Sequence, residues 1–183
     1  MRADIQLTDT AQDYLSQVAT NEGNPDLRIG VSHPGTSLSQ AFITFNKETT
    51  DDDEIHQYGD FNLRYSRSLA LFIDGLAINY RTNRMGGNLH LKAPNIKTMP
   101  DLPADADLSL KVSAILEGHV NPALAEHQGG VAVDRIEGES VYLKFGGNCL
   151  GCGNAERTLV DFVEKTLKEH LPEIETVSDV TRH

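Results

Sequence analysis

The chain is poor in cysteine, in basic residues and in long apolar runs, and each shortage excludes something. Its only two cysteines, Cys149 and Cys152 among 183 residues, would close so short a loop that a disulfide between them constrains the unfolded chain little. Stability is therefore a weak reason to keep the pair in a reducing compartment. With 16 Lys and Arg against 27 Asp and Glu, the net charge is −11, which argues against a nucleic-acid partner, since a phosphate backbone is gripped by clustered cations. No run approaches the roughly 18 apolar residues of a membrane helix, so no membrane partner is expected. The opening "MRADIQLTDTAQDYLSQVAT" scatters acids through the segment and lacks the apolar centre and small-residue cleavage site of a secretory signal. A cytoplasmic protein is expected. Neither a Ser-His-Asp set nor a pair of catalytic carboxylates can be assigned, so turnover of a small substrate is not expected and the protein reads as no enzyme.

The acids are unevenly spread. Residues 1–100 hold 12 acids and 9 bases, whereas residues 101–183 hold 15 acids and 7 bases, so the cysteine half is the acidic half. A solvated surface accounts for this better than steering of a basic partner.

Hydrophobic periodicity divides the chain. Thr8 is placed to cap a helix whose Ala11, Tyr14, Leu15, Val18 and Ala19 share one face. Strands are expected at "DLRIGV" and "AFITF", around the turn "HPGTS", and later at "FNLRY", "LAINY" and "NLHLK", with a brief helix in "SLALFIDG" and an exposed loop at "KETTDDDE". Residues 94–107 carry prolines and aspartates with little apolar pattern and read as a linker between residues 1–93 and 108–183. In the second part Leu108, Val112, Ile115, Leu116 and Val120 form a helical stripe, and Asn121 with Pro122 reads as the cap and first turn of a new helix. "VAVDRI" and "SVYLKF" flank "EGE" as an antiparallel hairpin, with Val141, Leu143 and Phe145 on one face. A long helix follows with Leu159, Phe162, Val163 and Leu167 inward, then a short strand through Val177 and Val180. The expected fold class is α+β in two small domains, the first strand-rich, the second a three-stranded sheet covered by helices.

Both cysteines fall in "GGNCLGCGN", between the strand of Phe145 and the helix of Leu159. A helix N-terminus presents free N–H groups and a positive dipole end, which favour thiolate. Gly146, Gly147, Gly151 and Gly153 permit tight or positive-φ backbone and leave room for a bulky group against the main chain. Zinc and iron–sulfur clusters both want about four ligands, and two copies of this chain facing across a two-fold axis would supply them. A thiol–disulfide oxidoreductase also presents Cys-x-x-Cys at a helix start, although the preceding antiparallel hairpin lacks the βαβ context of that chemistry. A zinc-bridged structural dimer stays open, while two inert buried thiols fit poorly with the surrounding glycines and asparagines. A phosphate cradle is excluded because no Gly-Lys-Ser/Thr follows the glycines.

The histidines at 33, 56, 90, 119, 127, 170 and 183 lie outside ligand spacing of the cysteines and read as surface or capping residues, with His127 suited to a helix end. The run "DDDE" at 51–54 lacks the alternating ligands and glycine of a calcium loop and reads as solvated.

From Leu108 onward, "VNPALAEHQGG" followed by "VAVDRIEGESVYLKFGGNCLGCGNAERTLVDFVEKTLKEHLPEIETV" closely resembles the Nfu domain of iron–sulfur cluster carriers. The first half, with "LRIGVSHPG" and "LHLKAPNIK", is similar to the degenerate A-type carrier domain that precedes it in NfuA-type proteins. The resemblance implies a carrier that receives a 4Fe-4S cluster from an upstream scaffold and passes it to apo iron–sulfur proteins. It implies one cluster per homodimer, with Cys149 and Cys152 of each subunit as ligands. The chain departs from true A-type carriers in having no cysteine in residues 1–148, which leaves that half a role in recognising client apoproteins rather than in ligation.

Overall fold

A computed structural model of the chain describes residues 2–45, 52–83, 86–147 and 155–181. It comprises two compact units, Met1–Pro100 and Asp101–His183, each mixing helices and sheet as the sequence implies.

The first unit runs β1 (Ile5–Leu7), α1 (Asp9–Glu22), β2 (Asp26–Ser32), β3 (Gln40–Phe45), β4 (Asp53–Tyr58), β5 (Phe61–Ser66), a 3₁₀ turn into α2 (Ala70–Ile73), β6 (Leu76–Asn83) and β7 (Gly86–Lys92). Thr8 caps α1 as expected, its Oγ1 accepting from the Ala11 N–H at 3.4 Å. The helix ends on Gly23 in the left-handed region, at φ +60°. Its buried stripe is Ala11, Leu15 and Ala19, while Tyr14 stacks on Tyr80 with ring centroids 4.1 Å apart. A three-stranded sheet of order β1-β6-β7 and a four-stranded one of order β3-β2-β5-β4 enclose Leu27, Ile29, Leu63, Tyr65, Phe72 and Ile78.

Two expectations for this half are corrected. The acidic run is not wholly solvated loop: Asp53 and Glu54 open β4, which pairs antiparallel with β5. Asp53 takes a two-pronged ion pair from Arg28, at 2.6 and 2.7 Å, and its side chain is only 2% exposed. Arg67 reaches Asp52 and Glu54 at 3.6 and 3.1 Å. The acids are ordered because the parallel β2–β5 register brings cationic side chains beside them. Nor are residues 94–100 a free connector. Ile96 is buried and its carbonyl accepts from the Gly35 N–H at 2.9 Å, so this stretch packs within the first unit.

The second unit runs α3 (Leu108–Ile115), a π-helical turn (Leu116–Val120), α4 (Asn121–Ala125), β8 (Gly129–Glu137), β9 (Ser140–Gly147), α5 (Ala155–His170) and β10 (Thr176–Asp179). Asp107 caps α3, accepting from the Leu110 N–H at 2.8 Å. Asn121 does not cap α4. Helical backbone runs on from the π turn into α4, whose cap position falls at Val120 with no side-chain cap bond, and the Asn121 side chain is engaged elsewhere. The sheet has order β10-β9-β8, with β10 parallel and β8 antiparallel to β9 and an irregularity between Val133 and Arg135. Val141, Leu143 and Phe145 are buried as expected, with Val163 and Leu167 of α5. Phe162 instead lies 40% exposed. Among the described residues no helix is long and apolar enough to cross a membrane.

Candidate cysteine loop and its stem

Cys149 and Cys152, with Gly151 and Gly153, lie outside the described residues; the strand before them and the helix after them do not. β9 ends at Gly147 and α5 begins at Ala155. At that end of the hairpin glycine faces glycine, Gly129 opposite Gly147 and Gly130 opposite Gly146, so two consecutive rungs of the ladder carry no side chain.

The two glycines of β9 serve different physical ends. Gly147 has φ +65°, and a Cβ there would sit 2.1 Å from the Gln128 carbonyl oxygen. Conformation and space both demand glycine at this point. At Gly146 a Cβ would meet nothing within 4 Å, so that residue leaves open space rather than avoiding a clash. Gln128 is itself left-handed, with φ +57°, which bends the chain out of α4 and aims its carbonyl at Gly147.

Asn121 locks the other side of the stem. Its Oδ1 accepts from the Val131 N–H at 2.8 Å and its Nδ2 donates to the Val131 carbonyl at 3.1 Å. One carboxamide thus replaces both rungs of a missing strand and ties α4 to β8. On the opposite edge, β10 pairs with β9 as far as Leu143, the Val180 N–H donates to the Leu143 carbonyl at 2.9 Å, and the Phe145 N–H donates to Thr181 Oγ1 at 2.8 Å. The strand that precedes the cysteines is therefore held on both sides up to Phe145 and on one side only beyond it. The sequence reading missed Asn121 and Gln128: Asn before Pro has a strong local meaning as a cap, and the tertiary clamp leaves no mark in local pattern.

Charge is arranged locally on the hairpin's outer face. Hydrogen bonds from Lys144 and then Arg135 hold the Asp134 carboxyl below the usual carboxylate range, and the Arg135 guanidinium lies 4.0 Å over the Tyr142 ring. Among the described residues no group of three or more His, Cys, Asp or Glu could hold a metal ion.

Two histidines do meet. His119, on the π turn, and His170, at the end of α5, bring ring centroids to 4.6 Å, and His170 Nδ1 lies 2.9 Å from the Thr166 carbonyl. Partial loss of water around its ring, and then the charge of His170, hold His119 below its ordinary pKa of 6.5. The folded chain therefore binds the proton less readily than the unfolded chain. This contribution to stability is present above 6.5 and is lost as pH falls below it. His56 has the same sign, lowered by burial and then by Arg2, so the test is a difference: on acidification from about pH 7.5 to 5.5, His119→Asn should lose less melting temperature than the parent chain. Equal losses would contradict the contribution assigned to His119. His127 is exposed in the turn after α4, its N–H donating to the Leu124 carbonyl at 3.0 Å, and His183 lies outside the described residues.

Comparison with known proteins supplies the lineage. The iron–sulphur cluster biosynthesis family matches residues 3–100, and the NifU-like domain family matches residues 112–178. The chain is 37% identical over 184 aligned positions to the Fe/S biogenesis protein NfuA of Pseudomonas aeruginosa, covering 98% of this chain and 94% of that protein. It is 35% identical, with the same coverage, to the protein of that name in Teredinibacter turnerae. The chain belongs to the NfuA family. Its two family matches respect the division of the structure, since the first ends at Pro100, where the first unit ends. The NfuA assignment carried by the cysteine string is thereby borne out, and it extends to the diffuse first half. Among solved structures the chain is similar to IscA crystallised with a [2Fe-2S] cluster, at 22% identity and a TM-score of 0.44, covering 50% of this chain and 86% of that one.

Proposed function

We propose that this NfuA-family chain is an iron–sulfur cluster carrier whose cargo is a 4Fe-4S cluster held between two copies, by Cys149 and Cys152 of each, and handed on to apoproteins. One observation carries the reading: the chain's only thiols fall between Gly147 and Ala155, at the end of a hairpin whose last two facing pairs are glycine on glycine. The stem leaves space on its own side for a bulky inorganic body, and the N-terminal end of α5 favours thiolate. Family membership and the chemistry of a bare two-thiol motif, which needs two further ligands, support the same reading.

Release follows from shared ownership. A recipient cysteine displaces a carrier cysteine at iron: one Fe–S bond forms, one breaks, and the proton of the incoming thiol passes to the departing thiolate, with no change of oxidation state. Because each chain contributes only two bonds, the exchanges proceed stepwise. The first unit, with no cysteine before residue 149, serves recipient recognition. Residues 101–107 join it to the cluster unit, and the setting is cytoplasmic, fed by an upstream scaffold.

Anaerobic loading with iron and sulfide, followed by transfer to an apo 4Fe-4S protein, tests this. About four iron and four sulfide per two chains are expected, with loading abolished by Cys149→Ser. Loss of residues 1–100 should leave loading intact and slow delivery. Zinc at about half an equivalent per chain, or a colourless protein that reduces disulfides catalytically, would overturn the reading.

A further inference from the structure

The first unit contains a groove whose walls are β3 and β7, the terminal strands of its two sheets. Terminal strands carry backbone donors and acceptors with no partner on one side. Ala41 from β3 and the half-buried Leu89 and Leu91 from β7 give the groove an apolar lining. Ser39 also lines it, 3% exposed, its hydroxyl without a hydrogen-bond partner among the described residues. Buried hydroxyls are nearly always bonded, so this one has capacity for a further partner. Lys92 and Lys97 add two exposed cations to the lining, neither in an ion pair among the described residues. In a chain of net charge −11, a groove with two exposed cations selects against another surface of the same kind and for carboxylates.

We infer that this groove binds an extended segment of a partner polypeptide in which apolar and acidic side chains alternate, pairing main chain to main chain with a terminal strand. Alternation suits both walls at once, since successive side chains of a strand point to opposite faces: one set meets Leu89 and Leu91, the other meets Lys92 and Lys97. The inference rests on the reading that the first unit recognises recipients, and it names the chemistry of what is recognised.

The test uses the full ¹⁵N-labelled chain without cluster and a capped peptide of about ten residues alternating valine and glutamate, beside a valine–lysine counterpart and an N-methylated version that cannot pair. Amide shifts at Ala41, Leu89 and Leu91 are expected with the acidic peptide, which should bind at least about tenfold more tightly than the basic one. N-methylation should abolish binding, and the double variant Lys92→Glu, Lys97→Glu should reverse the preference. No groove shifts at about millimolar peptide, equal affinity for both charges, or self-association of the free chain through β3 or β7 would overturn the inference. The assay involves no cluster, so its failure leaves the cysteine reading standing, and failed cluster loading leaves this result untouched.

Discussion

Replacing Gly147 with valine should destabilise the hairpin of the second unit by about 3 kcal/mol, whereas Gly146→Ala, one residue earlier, should be neutral or mildly stabilising. The opposite signs follow from local geometry. At Gly147 a side chain suffers twice: a left-handed backbone costs roughly 1–2 kcal/mol for an L-residue, more when β-branched, and the added Cβ would lie 2.1 Å from the Gln128 carbonyl. A backbone oxygen cannot turn aside as a flexible side chain does, so the β8–β9 pairing must open. At Gly146 the φ is not left-handed and nothing lies within 4 Å, so alanine removes some unfolded-state freedom at a gain of up to about 1 kcal/mol. Hydrogen exchange at the Ala132 and Lys144 amides measures both, since that pair belongs to the β8–β9 ladder while the Val131 and Phe145 N–H groups turn outward to Asn121 and Thr181. Equal protection in the two variants would show that the left-handed turn does not govern the stem.

The second large effect lies in the first unit. Arg28→Ala should cost about 2–4 kcal/mol, because it leaves the carboxylate of Asp53, 2% exposed, without the guanidinium that grips both its oxygens. The value belongs below the fully buried limit, since the Arg28 side chain is 19% exposed. Removing both charges together, as Arg28→Met with Asp53→Leu, should recover most of the loss, because packing can replace a buried ion pair but not half of one. Urea denaturation of the three chains decides it. A double variant as unstable as the single one would mean that the loss comes from strand register rather than from the broken ion pair.

How much of this could be read in advance depended on whether the cause was local. The Thr8 cap and its stripe of Ala11, Leu15 and Ala19, and the buried face Val141, Leu143 and Phe145, repeat at the period of their element, so pattern alone finds them. Asp53 sits in a run that is polar by every local measure; only the β2–β5 register brings Arg28 to it. Asn121 reads as a cap from its neighbours and acts as a clamp through Val131, ten positions away. Ile96 lies two positions after Pro94 and looks like connector, yet its carbonyl holds Gly35. At the candidate site, Cys149 and Cys152 stood out from sequence by rarity and company, and the glycines around them were expected to permit unusual backbone. Which glycine is forced and which merely leaves room required the contact between Gly147 and Gln128. Long-range partners carry no sequence periodicity, so contacts of this kind leave no local mark.

The central claim is that Cys149 and Cys152 supply half of a coordination sphere completed by a second copy. Native mass spectrometry of the anaerobically loaded chain tests this most directly: the account predicts a species of two chains with one 4Fe-4S cluster, reverting to apo chains when the cluster is removed by a chelator. A cluster retained on a single chain, or a loaded dimer whose Cys149→Ser, Cys152→Ser variant loads equally well, would contradict it.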